Sequence, residues 1–171
     1  MFAILALFLY TSLARPSGTA YATYEAAGTL TNPVLFLSDD EALTQFNESY
    51  IFFFLYYAHA YELHNAPLSS VTPTLSIEVD DDSYTADIID GMIRVRTGTS
   101  SHPDVTLTLS HLAVIRLLRD ESALSEAFRE GTATITLHAS KPELFARGYV
   151  SLYSRLFDQS SPHSLLKIAI K

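Results

Sequence analysis

The stretch DVTLTLSHLAVIRLL, residues 104–118, changes its hydrophobic period without an intervening loop. From Val105 to Leu109 the apolar residues alternate with threonines, which is the period of a half-buried β-strand. After Ser110 the apolar residues recur every three positions, as on one face of a helix, at Leu112, Ile115 and Leu118. The Ser110 hydroxyl is a good N-cap, because it can accept a hydrogen bond from a backbone N–H of the first helical turn. We therefore predict a strand that runs directly into a helix at Ser110.

Four further strands are predicted from alternating patterns of the same kind. Three of them lie between Thr72 and Thr97, and the second and third are separated by Asp90-Gly91. Asp-Gly between two alternating runs is a strong signal for a hairpin, because a type I′ turn needs positive φ at both central residues. The last strand falls within TATITLHA, residues 132–139. We expect an antiparallel meander of three strands, with two more strands later in the chain.

The first helix of the main fold is predicted to start at Ser38 and to run to about His64. Ser38 and Glu41 stand three apart, as in a capping box. The second part of this helix, YIFFFLYYAHAY, residues 50–61, is apolar on every side. Such a helix is buried in the core, docked on another subunit or lining a cavity for an apolar ligand. Because Ile, Phe and Tyr favour strands, a buried strand is the alternative for the same run.

Two more helices are predicted towards the C-terminus. DESALSEAFREG, residues 120–131, indicates a short helix that Gly131 terminates. A second capping box, Ser140 with Glu143, opens the final helix. The final helix is expected to present one apolar stripe formed by Leu144, Phe145, Gly148, Tyr149, Leu152, Tyr153 and Leu156.

The composition excludes several classes of function. The chain has 171 residues, a net charge of −8 and no cysteine. The negative charge argues against binding to a nucleic-acid backbone, and the missing cysteines remove disulfides, thiolate catalysis and cysteine-ligated zinc. Apolar residues make up 48% and charged residues 18%, so a sizeable core is expected. Because the sequence holds no G-x-S-x-G, Walker A, G-x-G-x-x-G or HExxH motif, we predict no catalytic residue, no metal site and no cofactor.

Three local patterns have ordinary explanations. The acidic triplet at residues 80–82 fails the ligand spacing of an EF-hand loop and is expected to form a solvated hairpin turn. His111, directly after the N-cap, is expected to be a solvated residue of the first helical turn, with binding of an anion at the helix start as the alternative. Ser164 and Lys167 fit an S-x-x-K nucleophile pattern. The companion motifs of that pattern are absent, so a hydrolase is the weakest interpretation.

The N-terminal stretch MFAILALFLY, residues 1–10, is too short for a bilayer span, which needs roughly 20 apolar residues. It is interpreted as an apolar helix packed on the core or on a partner, with membrane attachment and a cleaved signal peptide as alternatives. We expect residues 1–37 to form this segment and a connector, 38–157 the main domain and 158–171 a tail. A cytoplasmic location is favoured, with membrane association or export as the alternatives.

Residues 103–118, PDVTLTLSHLAVIRLL, and 126–156, EAFREGTATITLHASKPELFARGYVSLYSRL, resemble the sterol carrier protein family. In that family a D-V-T-like strand runs directly into a short helix, an A-F-x-x-G-like turn leads into a strand, and a final helix follows. The segments 104–106 and 127–131 fit this pattern. The resemblance extends over residues 38–157, and its motifs are structural rather than catalytic.

The resemblance implies an α+β fold, with a five-stranded, mostly antiparallel sheet covered on one face by helices that enclose an apolar tunnel. It also implies non-enzymatic binding or transfer of a lipid, such as a sterol or a fatty acyl chain. A lipid is held mainly by buried area, at roughly 25 cal/mol per Å². From the apolar faces and the family resemblance together, we expect the ligand to contact Phe54, Tyr57, Tyr61, Leu107, Ile115, Phe128, Ile135, Phe145, Tyr149 and Leu152.

The alternative is a non-catalytic association module with the same fold and a filled core. Met1 to Tyr10 and Ser49 to Tyr61 would then form the interface of a homodimer or contact a membrane protein, and Met1 to Tyr10 could also contact a membrane. The first helix discriminates between the two hypotheses. Burial against a second chain indicates assembly, whereas an apolar cavity beside the helix indicates a lipid.

Overall fold

Residues 32–120 and 122–156 are described by the computed structural model. The predictions for the N-terminal stretch and for the tail, including Ser164 and Lys167, lie outside these residues. Within the described ranges, no helix is long and apolar enough to cross a membrane.

Five strands and six α-helices make up the described ranges. The strands are β1 Thr74–Val79, β2 Asp82–Ile89, β3 Met92–Thr97, β4 Val105–Leu109 and β5 Thr134–Leu137. The helices are α1 Asp39–Thr44, α2 Glu48–Tyr57, α3 His111–Arg119, α4 Ser122–Glu130, α5 Lys141–Ala146 and α6 Tyr149–Leu156, and a 3-10 turn at Ala60–Glu62 follows α2.

The strands form one sheet in the order β3-β2-β1-β4-β5. The β1–β2, β2–β3 and β4–β5 pairs are antiparallel. β1 and β4 are parallel, and Ile77 lies beside Leu107 in their register. The predicted meander and the predicted α+β class, with a five-stranded and mostly antiparallel sheet, are therefore confirmed.

The two faces of the sheet differ in polarity, because successive side chains of a strand point to opposite faces. Leu75, Ile77 and Leu107 lie on one face and are fully buried. Glu78 and Thr108 lie on the other face and are exposed, and the Thr108 hydroxyl donates a hydrogen bond to the Glu78 carboxylate at 3.3 Å. The core joins the apolar face of the sheet to buried residues of α2, α3 and α6.

Two local predictions are confirmed in atomic detail. The Ser110 hydroxyl accepts a hydrogen bond from the Ala113 N–H at 3.1 Å, and α3 begins at the next residue. Asp90 and Gly91 have φ of 52° and 78°, as both central residues of a type I′ hairpin require. The abrupt change of hydrophobic period at Ser110 is therefore a strand end and a helix start that share one residue.

The prediction of one continuous helix from Ser38 to His64 is wrong. The capping box at Ser38 is present, but α1 ends at Thr44. α2 begins after Asn47, whose side-chain oxygen accepts a hydrogen bond from the Ser49 N–H at 2.9 Å. A capping side chain opens a new helix there, although the apolar pattern continues across it.

The apolar run after Asn47 is helical, so the strand alternative for residues 50–61 is wrong. The helix ends at Tyr57. His59 has a φ of 57°, which lies in the left-handed region and stops a right-handed helix. The 3-10 turn then redirects the chain towards β1.

The final helix is interrupted as well, so its prediction as a single helix is wrong. The capping box at Ser140 opens α5, and Gly148 separates α5 from α6 with a φ of 84°. A side chain at Gly148 would also meet the His64 ring, whose Nε2 lies 3.4 Å from the Cβ position. Because the helical periodicity restarts after this glycine, the stripe does not run through both helices, and Phe145 is 74% exposed.

Candidate apolar binding site

The helix α2 is buried on every side in the core. Its residues Tyr50 to Leu55 are each at most 3% exposed. α2 packs between β3 and α3, and its rings contact each other, with Phe52 and Phe53 edge to face at 5.6 Å between centroids. A helix that is apolar all round is stable only in such a buried position. The sheet and the helices therefore share an apolar layer that is rich in aromatic side chains.

The ten residues predicted to contact a ligand occupy three environments. Phe54, Leu107, Ile115, Phe128, Tyr149 and Leu152 are buried, with exposures between 0% and 8%. Tyr57, Tyr61 and Ile135 are half-buried and pack against the same core. Phe145 lies outside this layer, because α5 turns its side chain towards solvent. The expected contact at Phe145 therefore has no place in a site within the core.

The half-buried tyrosines of this layer carry their polar ends towards polar partners. The Asn32 side-chain amide donates to the Tyr57 hydroxyl at 3.2 Å. The Tyr61 hydroxyl and the His59 Nδ1 form a hydrogen bond at 2.8 Å. Such amphipathic rings are typical of positions where an apolar interior meets water. They mark the end of α2 as one margin of the apolar layer.

Tyr50 differs from these tyrosines, because its hydroxyl is unsatisfied. The residue is 1% exposed, and within residues 32–120 and 122–156 its hydroxyl oxygen has no hydrogen-bond partner. Burial raises the pKa of Tyr50, and the positive charge of Arg119 opposes this to a lesser degree. An unsatisfied buried hydroxyl costs about 1–3 kcal/mol. The sequence signal is a tyrosine that precedes five purely hydrocarbon side chains, but apolar periodicity alone does not distinguish it from the other aromatic residues of the run.

A second buried polar cluster surrounds Asp104 at the start of β4. Arg147 forms an ion pair with the Asp104 carboxylate, and both side chains are 8% exposed. The Tyr149 hydroxyl donates to Asp104 Oδ2 at 2.9 Å, and the Thr74 N–H donates to the same oxygen at 3.2 Å. Burial raises the pKa of Tyr149, and the neighbouring Asp104 charge raises it further. The cluster fastens the junction of α5 and α6 to the sheet.

The expectation that His111 is merely solvated is wrong. Its side chain is 20% exposed and lies between two carboxylates, with Nδ1 2.7 Å from Asp80 and Nε2 2.9 Å from Asp82. The Phe46 ring packs edge to face on the imidazole at 4.4 Å. The His111 N–H also donates to Asp80 at 2.8 Å. The backbone hydrogen bond from His111 is the main cause that lowers the pKa of Asp80.

The contacts of His111 with Asp80 and Asp82 connect the β1–β2 turn to the start of α3. The pattern behind it is visible in the sequence only as an acidic turn and a histidine that are far apart. Within the described residues, no group of three or more His, Asp or Glu side chains could hold a metal ion.

Comparison with known proteins gives structural matches only. No family model matches the chain, and no curated protein matches it. The ubiquinone synthesis protein UbiJ-SCP2 is 15% identical with a TM-score of 0.37, over 80% of this chain and 97% of that one. Sterol carrier protein 2 like 2 from Aedes aegypti is 15% identical with a TM-score of 0.34, over 63% and 94%.

Another match is the sec-alkylsulfatase Pisa1 from Pseudomonas sp., which is 18% identical with a TM-score of 0.36 over 62% of this chain. This chain spans only 14% of the length of that sulfatase. The matches thus include sterol carrier proteins, the family that the sequence resembles. What this chain binds is inferred below from its own residues.

Proposed function

We propose that this chain binds a lipid, such as a sterol or a fatty acyl chain, in an apolar tunnel between the sheet and the helices. It holds or transfers the lipid without catalysing a reaction. The position of α2 is the observation that carries the proposal. This helix is apolar on every side and lies with α3 over the apolar face of the sheet.

The chemistry of this layer suits a hydrocarbon ligand. The described residues that meet there are aliphatic or aromatic, and a lipid gains affinity from buried apolar area without needing many polar contacts. Nine of the predicted contact residues belong to the layer, and Phe145 is left out. The half-buried tyrosines at the end of α2 would form the mouth of the tunnel.

The proposal is tested by blocking the tunnel from α3. Ile115 is fully buried, so Ile115→Trp should fill the space that the lipid needs and lower lipid affinity by at least about tenfold. Displacement of a neutral fluorescent probe by oleic acid measures this affinity. Because overpacking a core costs about 1–3 kcal/mol, a circular dichroism melt must show that the variant is folded.

Arg116→Trp is the matched control for this experiment. It adds the same ring to the same helix, but Arg116 is exposed, so lipid affinity should stay within about twofold of the wild type. A folded Ile115→Trp protein that binds oleic acid like the wild type would refute the tunnel.

The association hypothesis gains no comparable support. Within its predicted segment Ser49 to Tyr61, the run Tyr50 to Leu55 is already buried inside a single chain, as are Ala58 and Ala60. These side chains therefore present no surface to a second copy. The contribution predicted for Met1 to Tyr10, to a homodimer or to a membrane, lies outside the described residues.

A further inference from the structure

The Tyr50 hydroxyl is a polar atom placed in an apolar layer without a partner. Tyr50 stands in the first turn of α2, and its ring lies 4.8 Å from the Phe46 ring between centroids. Within the described ranges only two buried side-chain atoms lack a hydrogen-bond partner, the Tyr50 hydroxyl oxygen and the Arg147 Nε. Buried tyrosine hydroxyls usually have a partner. Tyr50 departs from this rule within this part of the chain.

The second unsatisfied atom has a different setting. Arg147 already pairs with Asp104 through another nitrogen, so its charge is compensated inside the fold. Tyr50 has no such compensation. Its hydroxyl is therefore the better candidate for contact with a ligand.

The charge near Tyr50 indicates the kind of ligand group that suits it. The positive charge of Arg119 opposes the rise in the pKa of Tyr50 that burial causes. The guanidinium is fixed by an ion pair with Asp39 and by a hydrogen bond to the Leu37 carbonyl at 2.7 Å. A neutral phenol is a hydrogen-bond donor that suits an oxygen acceptor, and the Arg119 charge, although paired with Asp39, disfavours a cationic group.

We propose that the Tyr50 hydroxyl donates a hydrogen bond to the head oxygen of the bound lipid, so that the site selects single-headed lipids with a carboxylate or hydroxyl over headless hydrocarbons. This inference rests on the proposed lipid-binding function. The head would lie at the start of α2, close to α1 and to the end of α3. The hydrocarbon would extend along α2.

Tyr50→Phe tests the inference, because it removes only the hydroxyl and keeps the ring that fills the core. Two ligands of equal chain length are compared by displacement of a neutral fluorescent probe: oleic acid, which has a head, and 1-octadecene, which has none. We expect the affinity for oleic acid to fall by about tenfold. The affinity for 1-octadecene should stay within about twofold, because only apolar contacts hold it.

The ligand-free variant supplies a second readout. If the hydroxyl has no partner in the ligand-free protein, Tyr50→Phe should melt at the same temperature as the wild type or higher. Tyr84→Phe is the matched control. It makes the same change at another buried tyrosine, near the Asp82 and Glu48 charges, and should leave the ratio of the two affinities unchanged.

The outcomes separate this inference from the proposed function. Equal binding of oleic acid by Tyr50→Phe and the wild type would overturn the role of Tyr50 and leave lipid binding intact. An equal loss of affinity for both ligands, with a lower melting temperature, would show that the hydroxyl has a structural partner and would overturn it too. Failure of the wild type to bind either ligand would exclude a fatty acyl chain from the proposed function and would overturn the inference with it.

Discussion

The Asp104 cluster and the Tyr50 hydroxyl are both polar and buried, but only in the first do charged and polar groups pair with each other, with Arg147 Nε alone left without a partner among the described residues. Asp104 receives hydrogen bonds from Tyr149 and from the Thr74 backbone, and it is paired with Arg147. The Tyr50 hydroxyl has no partner in the described ranges. The difference separates a polar site that holds the fold together from one that is left open. Loss of the first should cost stability, whereas loss of the second should cost only binding.

The largest effect should come from breaking the ion pair of the Asp104 cluster. Arg147→Met keeps much of the side-chain volume but leaves the Asp104 carboxylate buried without its counter-charge. We expect a loss of about 3–5 kcal/mol in the free energy of unfolding, measured by urea denaturation. Arg129→Met is the control, because Arg129 is exposed and its pair with Glu126 lies on the surface. Equal stability of the two variants would show that the cluster does not hold the fold.

A smaller effect is expected from the tyrosine of the same cluster. Tyr149→Phe removes the hydroxyl that donates to Asp104, while the Thr74 backbone bond and the Arg147 pair remain. The free energy of unfolding should fall by about 1–2 kcal/mol. Compared with Tyr50→Phe, this is the same chemical change at a second buried ring. If the two variants lose equal stability in the ligand-free protein, the distinction between the two polar sites is wrong.

The smallest effect concerns the exposed side of the fold. Asp80→Asn keeps a residue that tolerates the left-handed backbone at this position, where φ is 49°, but it removes the charge beside His111. Because the pKa of Asp80 is lowered in the folded protein, its charge stabilises the fold above the unfolded pKa. That contribution is lost as the pH falls through the folded pKa. The Asp80 side chain is 50% exposed, so solvent screening keeps the effect below about 1 kcal/mol.

Urea denaturation at several pH values measures this contribution. The wild type should be more stable than Asp80→Asn at neutral pH, and the difference should shrink below about pH 4. Asp90→Asn is the matched control, because it makes the same change in the β2–β3 turn, where φ is 52°. A stability difference for Asp80→Asn that is independent of pH would contradict the role of its charge.

Much of the fold follows from local signals in the sequence. The Ser110 junction, the Asp90-Gly91 turn and the capping boxes at Ser38 and Ser140 depend on residues only a few positions apart, and all four are present in the structure. The breaks at Asn47 and within the final helix were missed. An asparagine or a glycine inside an apolar pattern can be tolerated or can end a helix, and the packing around it decides.

The candidate site is less predictable because its chemistry depends on contacts between distant residues. Apolar periodicity placed α2, α3 and the sheet in one core, and nine of the expected contact residues lie there or at its margin. Periodicity could not show that the hydroxyl of Tyr50 would lack a partner while those of Tyr57 and Tyr149 have one. Nor could it show that His111 lies between Asp80 and Asp82 at the β1–β2 turn.

The parallel pairing of β1 with β4 bears on the order in which the sheet assembles. Tight turns join β1, β2 and β3, so these strands can pair locally. β4 pairs with β1 only across a separation of 30 residues, as between Thr74 and Asp104. Closing such a loop costs chain entropy before any contact is gained, so long-range pairing is slow. We therefore expect the meander to form first and the docking of β4 to limit the folding rate. Because β4 continues directly into α3, we expect α3, which lies over the proposed tunnel, to dock on the sheet late in folding.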